Sequence, residues 1–338
     1  MPHPIQGFYI GMQELTGRSR HLYYQNEICH FRAFTNFNPL FNFSSMKIFI
    51  SGASGLIGGN CLKHFKEEGE EAVGSYFSYP IEDTVYFNTL DFLDPRNFDL
   101  KAFAPDVIVH CGALTHVDYC ETHENESFDQ TVKSTRTLID ISKELKAKLV
   151  YISTDYVFDG KNGPYLEEDQ VNTLSIYAQH KLQAEQEVLQ NLPDSLVLRV
   201  TNVYGHEVRN KNFVSRIIAQ CRDGQTLQLK LPKDQYATPV NAWDVARAML
   251  LLLRDKHQGI FHIASTDWMN RVELALHVLK YFPDVTYHLE CLSTESLNQP
   301  AKRPLRGGLL KEKFSALYPE FLFGNVDMFV KESLAKGV

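Results

Sequence analysis

The chain has 338 residues, 44% of them apolar and 22% charged, with 34 Lys and Arg against 41 Asp and Glu. That length is a prior for two domains of roughly 150 residues with a real hydrophobic core. The net charge of −7 argues against a mainly electrostatic nucleic-acid binder and the apolar fraction against wholesale disorder, while the longest apolar run, Ala248 to Leu253, is far too short to span a membrane.

Residues 1–45 contain no Lys and no Asp but nine aromatics, which sets them apart from the rest. They lack the charged and apolar regions of a signal peptide. They read as an extension, disordered or lying upstream of a start at Met46; the alternative is an aromatic arm for a partner. The six cysteines form no CxxC pair, which fits reduced thiols and a cytoplasmic protein.

From Met46 onward short β-rich runs alternate with helical stretches. Strands are predicted at Lys47–Ser51, Ala72–Phe77, Asp106–Cys111, Lys148–Thr154 and Ser195–Asn202. Helices are predicted between them at Leu56–Glu67, Ser127–Leu145 and Ile176–Leu189. Continuous apolar strands separated by helices indicate an α/β fold, a Rossmann-type doubly wound parallel sheet. After about residue 200 the pattern predicts a helix over Asn212–Arg222, a strand over Thr226–Leu231, a helix over Asn241–Arg254 and a strand over Gly259–Ala264. Further helices are expected near 270–281 and 324–335. The expected division is a dinucleotide-binding domain of 46–200 with 238–264, and a smaller C-terminal substrate-binding domain of 201–237 with 265–338.

Gly52-Ala53-Ser54-Gly55-Leu56-Ile57-Gly58 follows the first strand directly. Glycines there permit a tight turn and let the backbone approach a pyrophosphate at the N-terminus of the next helix. Gly52, Ser54, Gly55, Leu56, Ile57 and Gly58 are therefore the expected cofactor cradle. The second strand ends in Gly74-Ser75-Tyr76-Phe77-Ser78, without the acid that usually holds an NAD ribose. NADP(H) is accordingly favoured over NAD(H). No Arg stands nearby, so Ser75 and Ser78 are the expected donors to a 2′-phosphate. Asp91 and Phe92 are placed beside the adenine.

Tyr177 and Lys181 stand four residues apart, which on a helix puts both on one face. A lysine cation beside a tyrosine lowers the phenol pKa and lets it act as general acid to a carbonyl, and the same lysine can hold the nicotinamide ribose, so Tyr177 and Lys181 are also expected at the cofactor. Thr154, with Ser153 as second choice, ends a strand at the sheet edge where ligands bind and is expected to orient that carbonyl. Arg303 is a candidate clamp for a diphosphate. His110, Cys111, His116, Cys120 and His123 match no zinc spacing, and no metal site is expected.

GASGLIG, YISTDYVFDG and the YxxxK spacing together resemble the extended short-chain dehydrogenase/reductases. STDYVFDG resembles the dTDP-4-dehydrorhamnose reductase branch of that family. The resemblance runs from about Met46 to the C-terminus and includes the run His110 to Asp118, Asp234-Gln235 with Pro239, and Ala301 to Leu305. It implies that Thr154, Tyr177 and Lys181 are catalytic. It also implies that Gly55 to Ile57, Asp91, Phe92, Ala113, Leu114 and Thr115 line the cofactor, and that Thr154 and Asp155 touch substrate. Two positions depart from the pattern. Thr131 stands where family members often carry Asn, and Asn202, also a substrate-side candidate, where rhamnose reductases often carry Trp. The implied activity is NAD(P)H-dependent reduction of a nucleotide-linked keto-deoxysugar by a cytoplasmic enzyme, compatible with a homodimer and needing neither nucleic acid nor membrane. Two alternatives share the scaffold. One is an NADP-binding regulatory subunit resembling the methionine adenosyltransferase beta subunit. The other is a sugar-nucleotide epimerase or dehydratase, against which Tyr156 stands where a dehydratase usually has Glu.

Overall fold

The computed structural model describes residues 45–336. The predicted extension therefore lies, up to Ser44, outside the described residues, as do the last two positions. β1 (Lys47–Ser51) leads through the glycine turn into α1 (Leu56–Glu67). β2 (Glu71–Tyr76), β3 (Thr84–Tyr86), the single-turn α2 (Leu100–Phe103) and β4 (Val107–His110) follow. α3 (Val117–Thr122), α4 (Glu124–Phe128) and α5 (Ser134–Leu145) come next, the last two joined by a π-helical turn at Asp129–Lys133. β5 (Lys148–Thr154) ends in a 3₁₀ turn at Asp155–Val157 and is followed by α6 (Ile176–Asn191), β6 (Leu196–Val200) and α7 (Phe213–Arg222). The remaining elements are β7 (Leu227–Pro232), β8 (Tyr236–Ala237), α8 (Ala242–Arg254), β9 (Gly259–Ile263), β10 (Met269–Asn270), α9 (Arg271–Leu279), β11 (Tyr287–Leu292), α10 (Glu312–Leu317) and α11 (Val326–Lys336).

Seven strands form one sheet in the order β3-β2-β1-β4-β5-β6-β9, and every pairing in it is parallel. The order reverses between β1 and β4, so the two crossovers leave a crevice above their C-terminal ends. The strand residues alternate between two apolar faces. Ile48 and Ile50, Val107 and Val109, and Val150 and Ile152 join one cluster, with the α8 residues Ala248, Met249 and Leu252. Phe49, Ile108, Leu149 and Tyr151 join the other, with Leu138 and Ile139 of α5 and Val188 of α6. A sheet covered on both faces explains why the strands read as unbroken apolar runs. Each fully buried aliphatic or Phe side chain contributes about 2 kcal/mol.

The later segments build a separate cluster. Val214 and Ile217 of α7, Leu227 of β7, Leu274 and Val278 of α9, and Val326 and Phe329 of α11 pack together. β7 pairs with β11 in parallel, and β8 with β10 antiparallel, outside the main sheet. β11 has no alternating apolar face, being mostly exposed, and this explains why the sequence pattern missed it.

Candidate active site

Gly52 sits at φ +78, and a Cβ there would come 2.9 Å from the backbone N of Gly112. A Cβ on Gly58 would come 2.5 Å from the Gly52 carbonyl oxygen and 2.8 Å from the Ala53 Cα. Side chains at these positions would pry the turn from β4 and α1 from the turn. Gly55 caps α1 without any side-chain bond, and the first turn of the helix holds no acid. The first N–H groups of a 12-residue helix therefore point outward with only the positive end of its dipole beside them. Ser54 and Gly55 line a cleft of about 640 Å³. Tight glycine packing and outward N–H groups, beside a cleft that runs on along α1 to Lys63 and Glu67, fit a dinucleotide pyrophosphate. Leu56 and Ile57 open α1, and Ile57 packs on the sheet. Ala113, Leu114 and Thr115 lie in the loop that begins at Cys111 after β4, whose Gly112 sits against the Gly52 turn.

Two of the expected cofactor neighbours are placed otherwise than a simple ligand contact requires. Ser75 is buried, at 1% exposure, and its carbonyl accepts the Ala53 N–H at 2.7 Å. It braces the turn and is no donor to a 2′-phosphate, whereas Ser78 is exposed. Phe92 meets Phe87 edge-on at 6.2 Å and packs on the sheet core, and Asp91 beside it is exposed.

Ser175 caps α6 by accepting the Ala178 N–H, and this sets the helix on which Tyr177 and Lys181 lie one turn apart. The Lys181 ammonium is buried, donates to the Ile152 carbonyl and lies 4.2 Å from the centre of the Tyr151 ring. Burial lowers its pKa to about 7, against a smaller upward pull from Cys111 and Glu185. Desolvation drives the Tyr177 phenol well above its ordinary value, and the neighbouring Thr154 hydroxyl pulls it back only in part. The expectation that Lys181 lowers the Tyr177 pKa is therefore corrected. The lysine is itself desolvated and turned to a backbone carbonyl, so the loss of water around the phenol outweighs it. Thr154 ends β5, accepts the Tyr156 N–H at 3.2 Å and stays buried beside Tyr177. Ser153, the second choice, is also buried and its hydroxyl has no partner. Beneath Lys181, both ring nitrogens of His110 and the Tyr151 hydroxyl are likewise unpaired. Burial, helped by Lys181, holds His110 at a pKa of about 3, so it is neutral.

The family model of the RmlD substrate binding domain matches residues 46–322. The chain belongs to this family. It is thereby a member of the dTDP-4-dehydrorhamnose-reductase-like branch of the extended short-chain dehydrogenase/reductases. A hypothetical dTDP-4-dehydrorhamnose reductase from Sulfolobus tokodaii is 31% identical, with a TM-score of 0.71 over 83% of this chain and 98% of that one. The dTDP-4-dehydrorhamnose reductase of Clostridium acetobutylicum is 27% identical, with a TM-score of 0.72 over 86% of this chain and 99% of that one. Methionine adenosyltransferase 2 subunit beta of Danio rerio is 31% identical over 266 residues, covering 76% of this chain and 80% of its own length.

Within this RmlD-family fold the substrate-side candidates divide. The Asp155 carboxylate is buried and closed off: Oδ2 accepts the Thr201 hydroxyl at 2.7 Å and the Gly308 N–H at 3.1 Å. Burial raises its pKa and these bonds oppose the rise. Its geometry is that of a clasp between β5 and the late loop rather than an open ligand contact. Arg303 is bound on both terminal nitrogens by Asp118, at 2.8 and 2.7 Å, so its fork is already occupied. It still borders a cavity of about 1120 Å³ with Lys233, Tyr236, Thr294 and Lys302. Asn202 adopts φ +40 and its side-chain oxygen accepts from Arg271 at 2.6 Å. The sequence does not single out Arg271, and it marks Tyr156 only as standing where a dehydratase usually has Glu. Tyr156 meets Tyr177 edge-on at 5.8 Å, and Arg271 is close enough to lower the Tyr156 pKa against the rise that burial causes. An arginine at the start of a helix after an Asn cap has no local mark that sets it apart from a solvated one. Thr131 lies buried in the π-helical turn, where its carbonyl accepts the Thr135 hydroxyl at 2.6 Å. Such turns concentrate at functional sites.

Proposed function

We propose that the chain is an NAD(P)H-dependent reductase of a nucleotide-linked keto-deoxysugar. Its family makes it an oxidoreductase of the short-chain dehydrogenase/reductase type, with NADP(H) favoured and NAD(H) as the other cofactor. The observation that carries the reading is the convergence of Thr154, Tyr177 and Lys181 at the C-terminal edge of the parallel sheet, from the end of β5 and the start of α6. When bound, the nicotinamide supplies a hydride to the sugar carbonyl. Gly52 to Gly58 would hold the pyrophosphate at the α1 N-terminus, with Ala113 to Thr115 in the loop beside the turn. Leu56 and the exposed Asp91 would frame the rest of the cofactor, backed from the core by Ile57 and Phe92. Tyr177, kept protonated by desolvation, donates its proton to the carbonyl oxygen. Thr154 hydrogen-bonds the same oxygen and orients it. Lys181 turns from the Ile152 carbonyl to hold a ribose hydroxyl, and its charge supports Tyr177 as the phenolate forms.

The sugar nucleotide is assigned to the cavity bordered by Lys233, Lys302 and Arg303, with Asn202 toward the sugar and the enclosed Asp155 holding the late loop in place. Residues 46–200 with 238–264 serve as the cofactor domain, and 201–237 with 265–338 as the substrate domain. No helix among the described residues is long and apolar enough to cross a membrane. Cys61, Cys111, Cys120, Cys221 and Cys291 are unbridged, which supports a cytoplasmic location, and a homodimer is the assembly proposed.

A panel of 4-keto-deoxysugar nucleotides tests this. Oxidation of NADPH or NADH by at least one of them is expected. The 31% identity to methionine adenosyltransferase 2 subunit beta favours one second reading, a noncatalytic subunit of such an enzyme. Cofactor binding with no oxidation across the panel, together with a stable complex with a methionine adenosyltransferase, would decide for it.

A further inference from the structure

β2 carries neither an acid for a free ribose 2′-hydroxyl nor an arginine for a 2′-phosphate, yet the fold brings an arginine to that place from a distant part of the chain. β2 ends at Tyr76, and Phe77, Ser78 and Tyr79 run on from it, all exposed. Arg209, in the loop between β6 and α7, lies with its guanidinium carbon 5.1 Å from the centre of the Tyr79 ring. It forms no ion pair or hydrogen bond among the described residues, and its Nε is buried without a partner. Its flanking residues Val208 and Asn210 line the same cleft as Ser54 and Gly55 of the cradle and Ile81 of the loop after β2. The acids of that cleft do not neutralise it. Glu207 accepts from the backbone N–H and the side chain of Asn212, at 2.5 and 2.9 Å. Glu332 pairs with Lys336, and Glu67 ends α1, away from the cradle.

A dinucleotide whose pyrophosphate lies on the cradle extends its adenosine ribose toward the end of β2. An unpaired guanidinium over an aromatic ring is steadied by it and keeps its planar fork free for two parallel bonds to a phosphate. We propose that Arg209, steadied by Tyr79, grips the 2′-phosphate of NADP(H) and sets the cofactor preference of this chain. The exposed hydroxyl of Ser78 adds a donor to the same group. This rests on the reading that the glycine cradle holds a dinucleotide.

The test is coenzyme binding by the full chain without sugar, read by calorimetry with NADPH, NADH, 2′,5′-ADP and 5′-AMP. The wild type is expected to bind NADPH about tenfold or more tighter than NADH, and 2′,5′-ADP tighter than 5′-AMP. Arg209→Gln removes most of both preferences and leaves NADH affinity within about twofold, and the unchanged NADH binding certifies the fold. Arg209→Lys, which keeps the charge without the fork, falls between the two. The proposal is overturned if the wild type shows no preference, if Arg209→Gln weakens both coenzymes alike, or if it weakens neither. A wild type that binds neither coenzyme would overturn the cradle reading and this proposal together.

Discussion

Replacing Lys181 with methionine removes an ammonium that the fold holds in a desolvated site. Its pKa is about 7 in the folded chain, against 10.5 for an unperturbed lysine. Between these values the unfolded chain binds a proton that the folded chain does not, so stability rises with pH. The penalty is complete below the folded pKa and disappears only above the unfolded one. From about pH 6 to about pH 9 this single group adds about 2–3 kcal/mol to the stability of the cofactor-free protein. Lys181→Met lacks that contribution, so the stability difference between the two proteins must change by the same amount over that range. Urea melts of both proteins at the two pH values measure it, and contributions from the other titrating groups cancel in the difference. Parallel pH dependences would show that the ammonium is not desolvated as described, and would remove the argument that Lys181 waits for a polar partner.

Tyr177→Phe is expected to lower NADPH oxidation by about 10²–10⁴ while leaving NADPH affinity unchanged in a calorimetric titration. Gly58→Ala should abolish measurable cofactor binding, because its Cβ would stand 2.5 Å from the Gly52 carbonyl oxygen, where only backbone can give; retained affinity would show the turn to be softer than its packing implies. Arg199 and Glu185 form an ion pair at 2.5 Å with both side chains almost fully buried. Arg199→Met leaves the Glu185 charge without a partner and should cost about 3–5 kcal/mol, read as a fall in the urea midpoint.

The sheet was legible because its strands are buried on both faces and so carry uninterrupted apolar runs with glycine-marked ends. The cradle and the Tyr177–Lys181 spacing were legible because each lies within a single turn and its neighbouring element. What was not legible depends on residues far apart in sequence. Arg303 reads as a free cation until Asp118, 185 positions earlier, is seen to hold it. Asp155 follows Thr154 and reads as its partner at the ligand, yet Thr201 and Gly308 enclose it. Ser75 is one residue from an exposed stretch, and only the pleat of β2 decides that it faces inward. The helix predicted from Ser127 is continuous in direction, but its π-helical turn has no sequence pattern that a 3.6-residue period would detect.

The clasp on Asp155 also orders the birth of the protein. Its carboxylate and the Gly308 N–H are 153 residues apart. At ~5–20 residues per second, a ribosome needs roughly 8–30 s to make the chain between them. Once residue 181 has been made the nascent chain carries the glycine turn, Thr154, Tyr177 and Lys181, while the loop that brings Gly308 to Asp155 and Arg303 to Asp118 does not yet exist. The cradle and the catalytic candidates are synthesised before the loop across the crevice, so a chain halted between residues 182 and 300 would carry every catalytic candidate and still lack that loop.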